Sequence, residues 1–329
     1  MSQGGGSVLA VWAVLSGVGF GCLGVAYRLG QARGVTPTQI GLVIAAAGCA
    51  VFGGTVGSEE WAAPAVVWVL GIGVGISQYL VLKLIRPALA RGSLSSLWCA
   101  VNLGFIIAVA YAALFLGERP GLLQQAGIAA AVASVAVASA GQQPAEGGLR
   151  SSQCRTADRL AYGLLLLLIL VLTGLSPAFL KYLSAHPAAA LGGPRVLPLG
   201  AVGAYGRAGL SGSLMREFGH LYYFVFYAVF AVLILADLTI TGAIKARMGT
   251  AARVGLLGAA GSVVGMWAWA AASPLPAAVL FTVSSVVSLL LAAAVSVTAF
   301  GEKRSLAWYA TVGLAVAAVV LVTARGLGR

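Results

Sequence analysis

Ten runs of apolar residues, each about as long as a membrane-crossing helix, fill this 329-residue chain almost from end to end. A hydrocarbon core of roughly 30 Å is spanned by about 20 residues of α-helix. Because backbone N–H and C=O groups in lipid must pair within their own segment, each run predicts a helix. The predicted fold is an all-α integral membrane protein with ten transmembrane helices. The segments are 8–29, 38–56, 64–86, 93–116, 120–140, 159–182, 219–244, 252–272, 276–300 and 305–324.

Composition excludes several other classes of protein. Hydrophobic residues make up 60% of the chain and charged residues 9%, whereas about a quarter of an ordinary soluble domain is charged. The net charge of +12 comes from short basic clusters between the apolar runs, which is typical of charges that orient membrane helices. The sequence contains no basic helix of the kind that binds nucleic acid, so we expect no nucleic-acid partner. The four cysteines lack CxxC spacing, so we expect no metal, no disulfide framework and no cofactor.

The chain divides into two blocks of similar plan. A polar linker at 141–158 separates a first block, 1–140, from a second, 159–329, which contains a long polar loop at 184–220. Each block holds five segments, and a Gly-Glu turn precedes the last segment of each, at Gly117–Glu118 and Gly301–Glu302. Because five is odd, the second block enters the membrane from the opposite side. The sequence therefore predicts an inverted repeat, which is the architecture of many secondary transporters.

This ten-helix plan with paired Gly-Glu turns resembles the drug/metabolite transporter superfamily, and its EamA-like branch in particular. The resemblance covers nearly the whole chain and is best at 82–140 and 275–322. It implies a multi-pass protein of the inner (plasma) membrane that transports a small, amino-acid-like metabolite by alternating access. Small multidrug resistance proteins, which are distant relatives of this plan, exchange protons for cations through a glutamate in their first helix. The first and sixth segments here contain no Asp or Glu, which favours a neutral or zwitterionic substrate.

Polar and aromatic side chains inside the apolar segments are the candidate substrate-binding residues. Unpaired amides and hydroxyls in lipid are unfavourable by several kcal/mol, so these side chains should turn inward. A small-molecule pocket combines such groups with aromatic walls. The alternative is that the serines hydrogen-bond neighbouring helices and the aromatics anchor at the membrane interface. The candidates are Gln78, Tyr79, Trp98, Asn102, Tyr223, Tyr227, Trp267, Ser284, Ser285 and Ser288.

Charged residues inside the segments are few. Asp237 is the one acidic residue well inside a predicted segment, and it is the candidate for coupling to a proton or another ion. The alternative is a salt bridge near the interface, for example with Lys245 or Arg247. Lys83 and Lys181 lie near segment ends, where we expect their amines to reach toward the interface.

Enzyme motifs are nearly absent, since the chain has no HExxH, GxGD or Walker A sequence. Residues 209–212 match GxSG, a nucleophile motif of intramembrane proteases, but the histidines His186 and His220 lie in the same polar loop. We therefore expect a glycine-rich turn there and no enzyme activity.

Three glycine pairs with GxxxG spacing predict that helices pack closely at these positions. They are Gly17/Gly21, Gly71/Gly75 and Gly261/Gly265.

The predicted function is secondary transport of a small organic solute. A non-transporting membrane receptor or assembly protein is the alternative.

Ten helices place both termini on one side of the membrane, and 13 of the 20 basic residues fall on the other side. The positive-inside rule then predicts termini outside the cytoplasm, whereas the family resemblance implies termini inside. The long loop would lie on the terminal side and cap that mouth of the bundle. The oligomeric state is left open.

Overall fold

The computed structural model describes residues 3–91, 94–140, 156–187, 213–243, 247–300 and 306–324. Within these ranges the fold is all-α, as predicted, apart from a 3-10 turn at Ser58–Ala62 and an isolated bridge between Pro187 and Ser213. The helices are α1 Gln3–Ala32, α2 Pro37–Gly53, α3 Ala65–Arg91, α4 Leu94–Leu103, α5 Phe105–Phe115, α6 Leu122–Ala140, α7 Thr156–Ala185, α8 Leu214–Ile240, α9 Met248–Ala272, α10 Ala277–Phe300 and α11 Leu306–Thr323.

Six helices in the described part of the chain are long and apolar enough to cross a membrane, and they lie in α1, α3, α7, α8, α9 and α10. Four shorter apolar helices cover the remaining predicted segments. Large apolar side chains point outward, among them Ile240, which is 84% exposed. Contiguous exposed apolar surface is rare on soluble monomers. The chain is therefore a helical membrane protein, and the number of crossings stays a prediction.

The fourth predicted segment, 93–116, is not one helix. It is interrupted at Gly104, where the hydrogen bonds shift to the i→i−3 pattern of a 3-10 turn. The N–H of Gly104 donates to Val101 and the N–H of Ile107 donates to Gly104, at 3.3 and 3.0 Å. This interruption separates α4 from α5.

The seventh segment begins earlier than predicted, at Leu214 rather than 219, because the Ser213 side chain caps the helix by accepting from the N–H of Arg216. At the other end of the long loop, α7 continues to Ala185. The N–H of Leu214 donates to the carbonyl of His186 at 3.0 Å, so the two ends of the loop meet. Residues 188–212 of that loop and 141–155 of the linker lie outside the described residues.

The most extensive helix pairs in the described chain join the N-terminal half (3–140) to the C-terminal half (156–324). Helix α1 packs on α9 and α10, while α7 packs on α3 and on α4–α5. Helix α2 packs on α8 and α9, while α8 packs on α2 and α3. Helices α6 and α11 pack on each other. Neither half therefore buries its helices without the other.

The glycine pairs lie at these contacts, which confirms the packing prediction. A Cβ on Gly71 would lie 3.0 Å from Cγ1 of Val225, and one on Gly75 would lie 2.8 Å from Cβ of Val229. Both glycines therefore let α3 approach the backbone of α8 closely. The other two pairs pack α1, α9 and α10 together in the same way.

Candidate functional site

A buried polar contact marks the point where α1 crosses α10. The Oγ atoms of Ser16 and Ser284 lie 2.7 Å apart, and the indole Nε1 of Trp269 donates to Ser284 at 3.0 Å. The rings of Phe20 and Phe281 pack against Trp269, with centroids 4.6 and 5.3 Å away. Ser284, a predicted site residue, is thus bonded to two other helices, and its hydroxyl faces the interior of the bundle.

A second crossing with the same local plan joins α7 to the α4–α5 interruption. A Cβ on Gly17 would lie 2.6 Å from the Ser284 carbonyl oxygen and 2.6 Å from Cβ of Val287. In the other half, a Cβ on Gly174 would lie 2.6 Å from the Gly104 carbonyl oxygen and 2.6 Å from Cβ of Ile107.

A hydroxyl residue precedes the glycine at both crossings, Ser16 in one and Thr173 in the other. The residue that faces this hydroxyl differs between the crossings. Ser284 offers a hydroxyl to Ser16, whereas a Cβ on Gly104 would lie 2.6 Å from Oγ1 of Thr173. Thr173 instead donates within its own helix, to the carbonyls of Ile169 and Leu170. In the described contacts, the Ser16 hydroxyl therefore bonds to the facing helix, whereas the Thr173 hydroxyl bonds within its own.

Two predicted site residues, Tyr223 and Tyr227, are fully buried and connect α8 to α9. The hydroxyl of Tyr223 donates to the carbonyl of Met266 at 3.0 Å, and that of Tyr227 lies 2.7 Å from Oγ of Ser262. The Tyr227 ring stacks on Phe52 of α2, with centroids 5.7 Å apart. Both hydroxyls turn inward, as the unfavourable free energy of unpaired polar groups in lipid requires.

The remaining predicted site residues differ in placement. Trp267 is 53% exposed and packs edge-on against Trp12, with ring centroids 5.4 Å apart, and its place in a substrate cavity stays a prediction. This position suits lipid or interfacial contact. The Trp98 side chain lies outside the described residues. The half-buried residues are Gln78, Tyr79, Asn102, Ser285 and Ser288, and their meeting in one cavity stays a prediction.

Asp237 pairs with Lys83, and neither partner considered from the sequence is the one observed. The Lys83 Nζ lies 2.7 Å from Oδ1 of Asp237. The packing register of α3 on α8 explains this choice, since Gly71 faces Val225 and Gly75 faces Val229. Two helical turns further along both helices, the same parallel register places Lys83 opposite Asp237. Arg247 instead donates to the backbone carbonyl of Arg33, and Lys245 lies outside the described residues.

The first Gly-Glu turn forms a buried junction that sequence reasoning missed. Gly117 has a φ of +69°, a left-handed conformation that ends α5 and suits glycine. The next side chain, Glu118, lies 2.7 Å from the Lys181 Nζ through Oε1 and accepts from the N–H of Ala277 at 2.7 Å through Oε2. The same amine donates to the carbonyl of Leu275 at 2.8 Å.

Lys181 is therefore buried within the protein, whereas its place near a segment end suggested an amine that reaches toward the interface. Its side chain is only 7% exposed. The repeated Gly-Glu motif in the sequence could have indicated this junction, but the sequence does not show which residues Glu118 contacts. The second Gly-Glu turn lies outside the described residues.

A third contact between an acidic and a basic side chain joins Glu60, in the 3-10 turn, to His220, near the start of α8. The Oε1 atom of Glu60 is 3.3 Å from Nδ1 of His220, and its Oε2 accepts from the N–H of Leu221 at 3.0 Å. The described residues contain no cluster of three or more His, Cys, Asp or Glu side chains that could hold a metal ion. The GxSG residues 209–212 lie outside the described part of the chain.

Comparison with known proteins supports the fold but names no family and no function. No family model and no curated protein matches the sequence. Sixteen chains of known structure match this one. One of them, described only as a crystal structure of a protein, has a TM-score of 0.64 and 18% sequence identity, over 99% of this chain and 98% of that chain. At this identity the match shows a shared fold over the full length of both chains.

Proposed function

We propose that this protein is a secondary transporter that moves a small organic solute without net charge by alternating access between two inverted five-helix halves. The exchange symmetry of the helix pairs carries this proposal. The helices of the two halves correspond in chain order, α1 to α7, α2 to α8, α3 to α9, α4–α5 to α10, and α6 to α11. The contact of α1 on α9 then becomes α7 on α3, and that of α1 on α10 becomes α7 on α4–α5. The α2–α8 and α6–α11 contacts map onto themselves.

The two crossings support the same correspondence at the level of residues. At one crossing Gly17 faces Ser284 and Val287, and at the other Gly174 faces Gly104 and Ile107. In both, a Cβ on the glycine would lie 2.6 Å from a carbonyl oxygen and 2.6 Å from the Cβ of the residue three positions later. Two related halves that contact each other in this way have two equivalent arrangements, in which either half takes the conformation of the other. Alternating access in inverted-repeat transporters works by that exchange.

The chemistry of the crossings favours a solute without net charge. The buried polar groups described there are the hydroxyls of Ser16 and Ser284 and the indole N–H of Trp269. These groups hydrogen-bond neutral functional groups but do not compensate a net charge in a medium of low dielectric. A zwitterion carries its own compensating charge. The amino-acid-like class follows only from the family resemblance.

Coupling of transport to a proton or another ion is also part of the proposal, with less support from the contacts of Asp237. Asp237 remains the coupling candidate, but its pairing with Lys83 supports the alternative of a structural salt bridge.

A non-transporting membrane receptor or assembly protein is the second candidate, and one observation favours it. The buried groups at the α1–α10 crossing are bonded directly to one another, which a permanently closed bundle would also show. A transporter in an occluded state would have the same contacts. The two candidates therefore differ in whether these contacts open, which only a functional measurement decides.

The test is thermal unfolding of purified protein against a panel of amino acids and other small neutral and cationic metabolites. A solute present at about 100 times its dissociation constant stabilises the folded state by about 2.7 kcal/mol, which is a clear shift in Tm. We expect a neutral or zwitterionic hit, and we expect radiolabelled hit to exchange into proteoliposomes preloaded with it. Binding without exchange would support the receptor. Neither binding nor exchange across the panel would contradict the proposed substrate class.

A further inference from the structure

The contacts between acidic and basic side chains of the described residues have one property in common, which is that each joins the N-terminal half to the C-terminal half. The pairs are Lys83–Asp237, Glu118–Lys181 and Glu60–His220. A salt bridge that only stabilised a half would connect residues of that half. These pairs therefore bear on how the halves are held against each other.

Two of these pairs lie at opposite ends of the bundle. Asp237 is in the last turn of α8, just before the turn at 241–243 on the way to α9. Glu118 binds the N–H of Ala277, just after the turn that leaves α9. Helix α9 has 25 residues, so these two turns are about 37 Å apart along its axis. We call them the α8–α9 end and the α9–α10 end.

The two pairs are unequal in burial and in the number of groups they hold. The Lys181 side chain is 7% exposed, and the pair also binds two backbone groups where the α9–α10 turn meets α10, the Leu275 carbonyl and the Ala277 N–H. The Lys83 side chain is 46% exposed, so water and salt screen its attraction to Asp237. Breaking a buried pair leaves an uncompensated charge and is far more unfavourable than breaking an exposed one.

We infer that Lys83–Asp237 and Glu118–Lys181 are charge latches, which close opposite ends of the bundle and open alternately as the halves exchange conformations. This inference rests on the proposed transport function and assigns the gating of its site. Both latches are closed in the present structure, which corresponds to an occluded state. Because the Lys83–Asp237 latch is the more exposed, the α8–α9 end should open first in the absence of solute.

The test measures distances between spin labels at the two ends of full-length protein in lipid nanodiscs, with the four native cysteines replaced by alanine. Labels at Gln31 and Ile240 report on the α8–α9 end, and labels at Leu122 and Arg216 report on the α9–α10 end. All four positions are exposed, and each pair spans both halves. The variants Lys83→Met and Lys181→Met remove one latch each. Arg253→Met is the matched control, because Arg253 is an exposed cation near the α8–α9 end and belongs to none of the pairs among the described residues.

We expect Lys83→Met to shift the 31–240 distances to longer values and to leave the 122–216 distances unchanged. Lys181→Met should do the reverse, and Arg253→Met should change neither. If Lys181→Met does not fold, Glu118→Gln replaces it, because the amide oxygen still accepts from Ala277 while the charge is lost. The reversed pair Lys83→Asp with Asp237→Lys should restore the parent 31–240 distribution.

Unchanged distributions in the latch variants would overturn the inference, and so would an equal shift in the Arg253→Met control. Failure of the reversed pair to restore the parent distances would also overturn it for the Lys83–Asp237 latch. These distances are measured without solute. If they shift as expected and no panel solute crosses the bilayer, the latches stand as devices that close the bundle and the transport proposal fails on its own.

Discussion

Ser16 on α1 and Ser284 on α10 meet Oγ to Oγ at 2.7 Å, and the Trp269 indole of α9 donates to the same Ser284 oxygen. Three helices from both halves therefore share one buried hydroxyl. The contact is possible because Gly17, the next residue along α1, has no side chain to keep the α10 backbone away.

Replacing Ser284 should destabilise the protein more than replacing Ser16. Ser16→Ala removes a hydrogen bond of the kind that contributes about 0.6 kcal/mol between membrane helices. Ser284→Ala also leaves the Trp269 N–H buried without its acceptor, which costs about 1–3 kcal/mol. Unfolding midpoints in detergent check the order. Ser77→Ala is the control, since the Ser77 hydroxyl donates only to the Val74 carbonyl of its own helix. Equal losses in all three variants would contradict the importance of the crossing.

Gly174→Ala should destabilise the α7 crossing, whereas Gly163→Ala on the same helix should not. The new methyl group at Gly174 would lie 2.6 Å from the Gly104 carbonyl oxygen, but a Cβ on Gly163 meets nothing within 4 Å. Overpacking typically costs about 1–3 kcal/mol, while alanine in a helix is favoured over glycine by about 1 kcal/mol. Thermal unfolding of the two variants should thus move in opposite directions. A neutral Gly174→Ala would show that α7 and α5 do not need to approach so closely.

Asn102→Leu should abolish solute exchange while leaving expression and a monodisperse detergent profile intact. Asn102 lies on α4, half-buried and two residues before the interruption at Gly104. An amide at this position offers both a donor and an acceptor, which leucine of similar size lacks. Asn102→Gln is the matched control and should retain measurable exchange. Normal exchange by the leucine variant would remove Asn102 from the site.

Deleting residues 192–212 of the long loop should leave folding unchanged. The loop ends already meet through the Pro187–Ser213 bridge, so the four remaining residues need to close only a short connection. Loop shortening of this kind changes the closure entropy by little. The chain should elute as a monodisperse species with an unchanged Tm. Slower solute exchange would support a lid that caps this mouth, and an unchanged rate would argue for a surface loop without a role in transport.

The positions of the helices follow from the sequence alone. A run of about 20 apolar residues is expected to become helical in lipid, and nine of the ten segments appear as single helices with ends shifted by up to five residues, while the fourth appears as α4 and α5. GxxxG spacing likewise predicted close approach at Gly71 and Gly75, because only a missing side chain permits it. These features depend on local composition and are therefore readable from one sequence.

Partner choice required the tertiary structure. Asp237 pairs with Lys83 because the glycine-packed register of α3 on α8 places them opposite each other, although they are far apart in the sequence. Lys181 is near a segment end in the sequence but is buried, because the Gly117 turn directs Glu118 onto it. The rotation of α9 leaves Trp267 exposed and directs the Trp269 indole onto Ser284, although the two residues are only two positions apart. Lipid dictates which segments are helical, whereas the facing of each side chain is decided by contacts between helices.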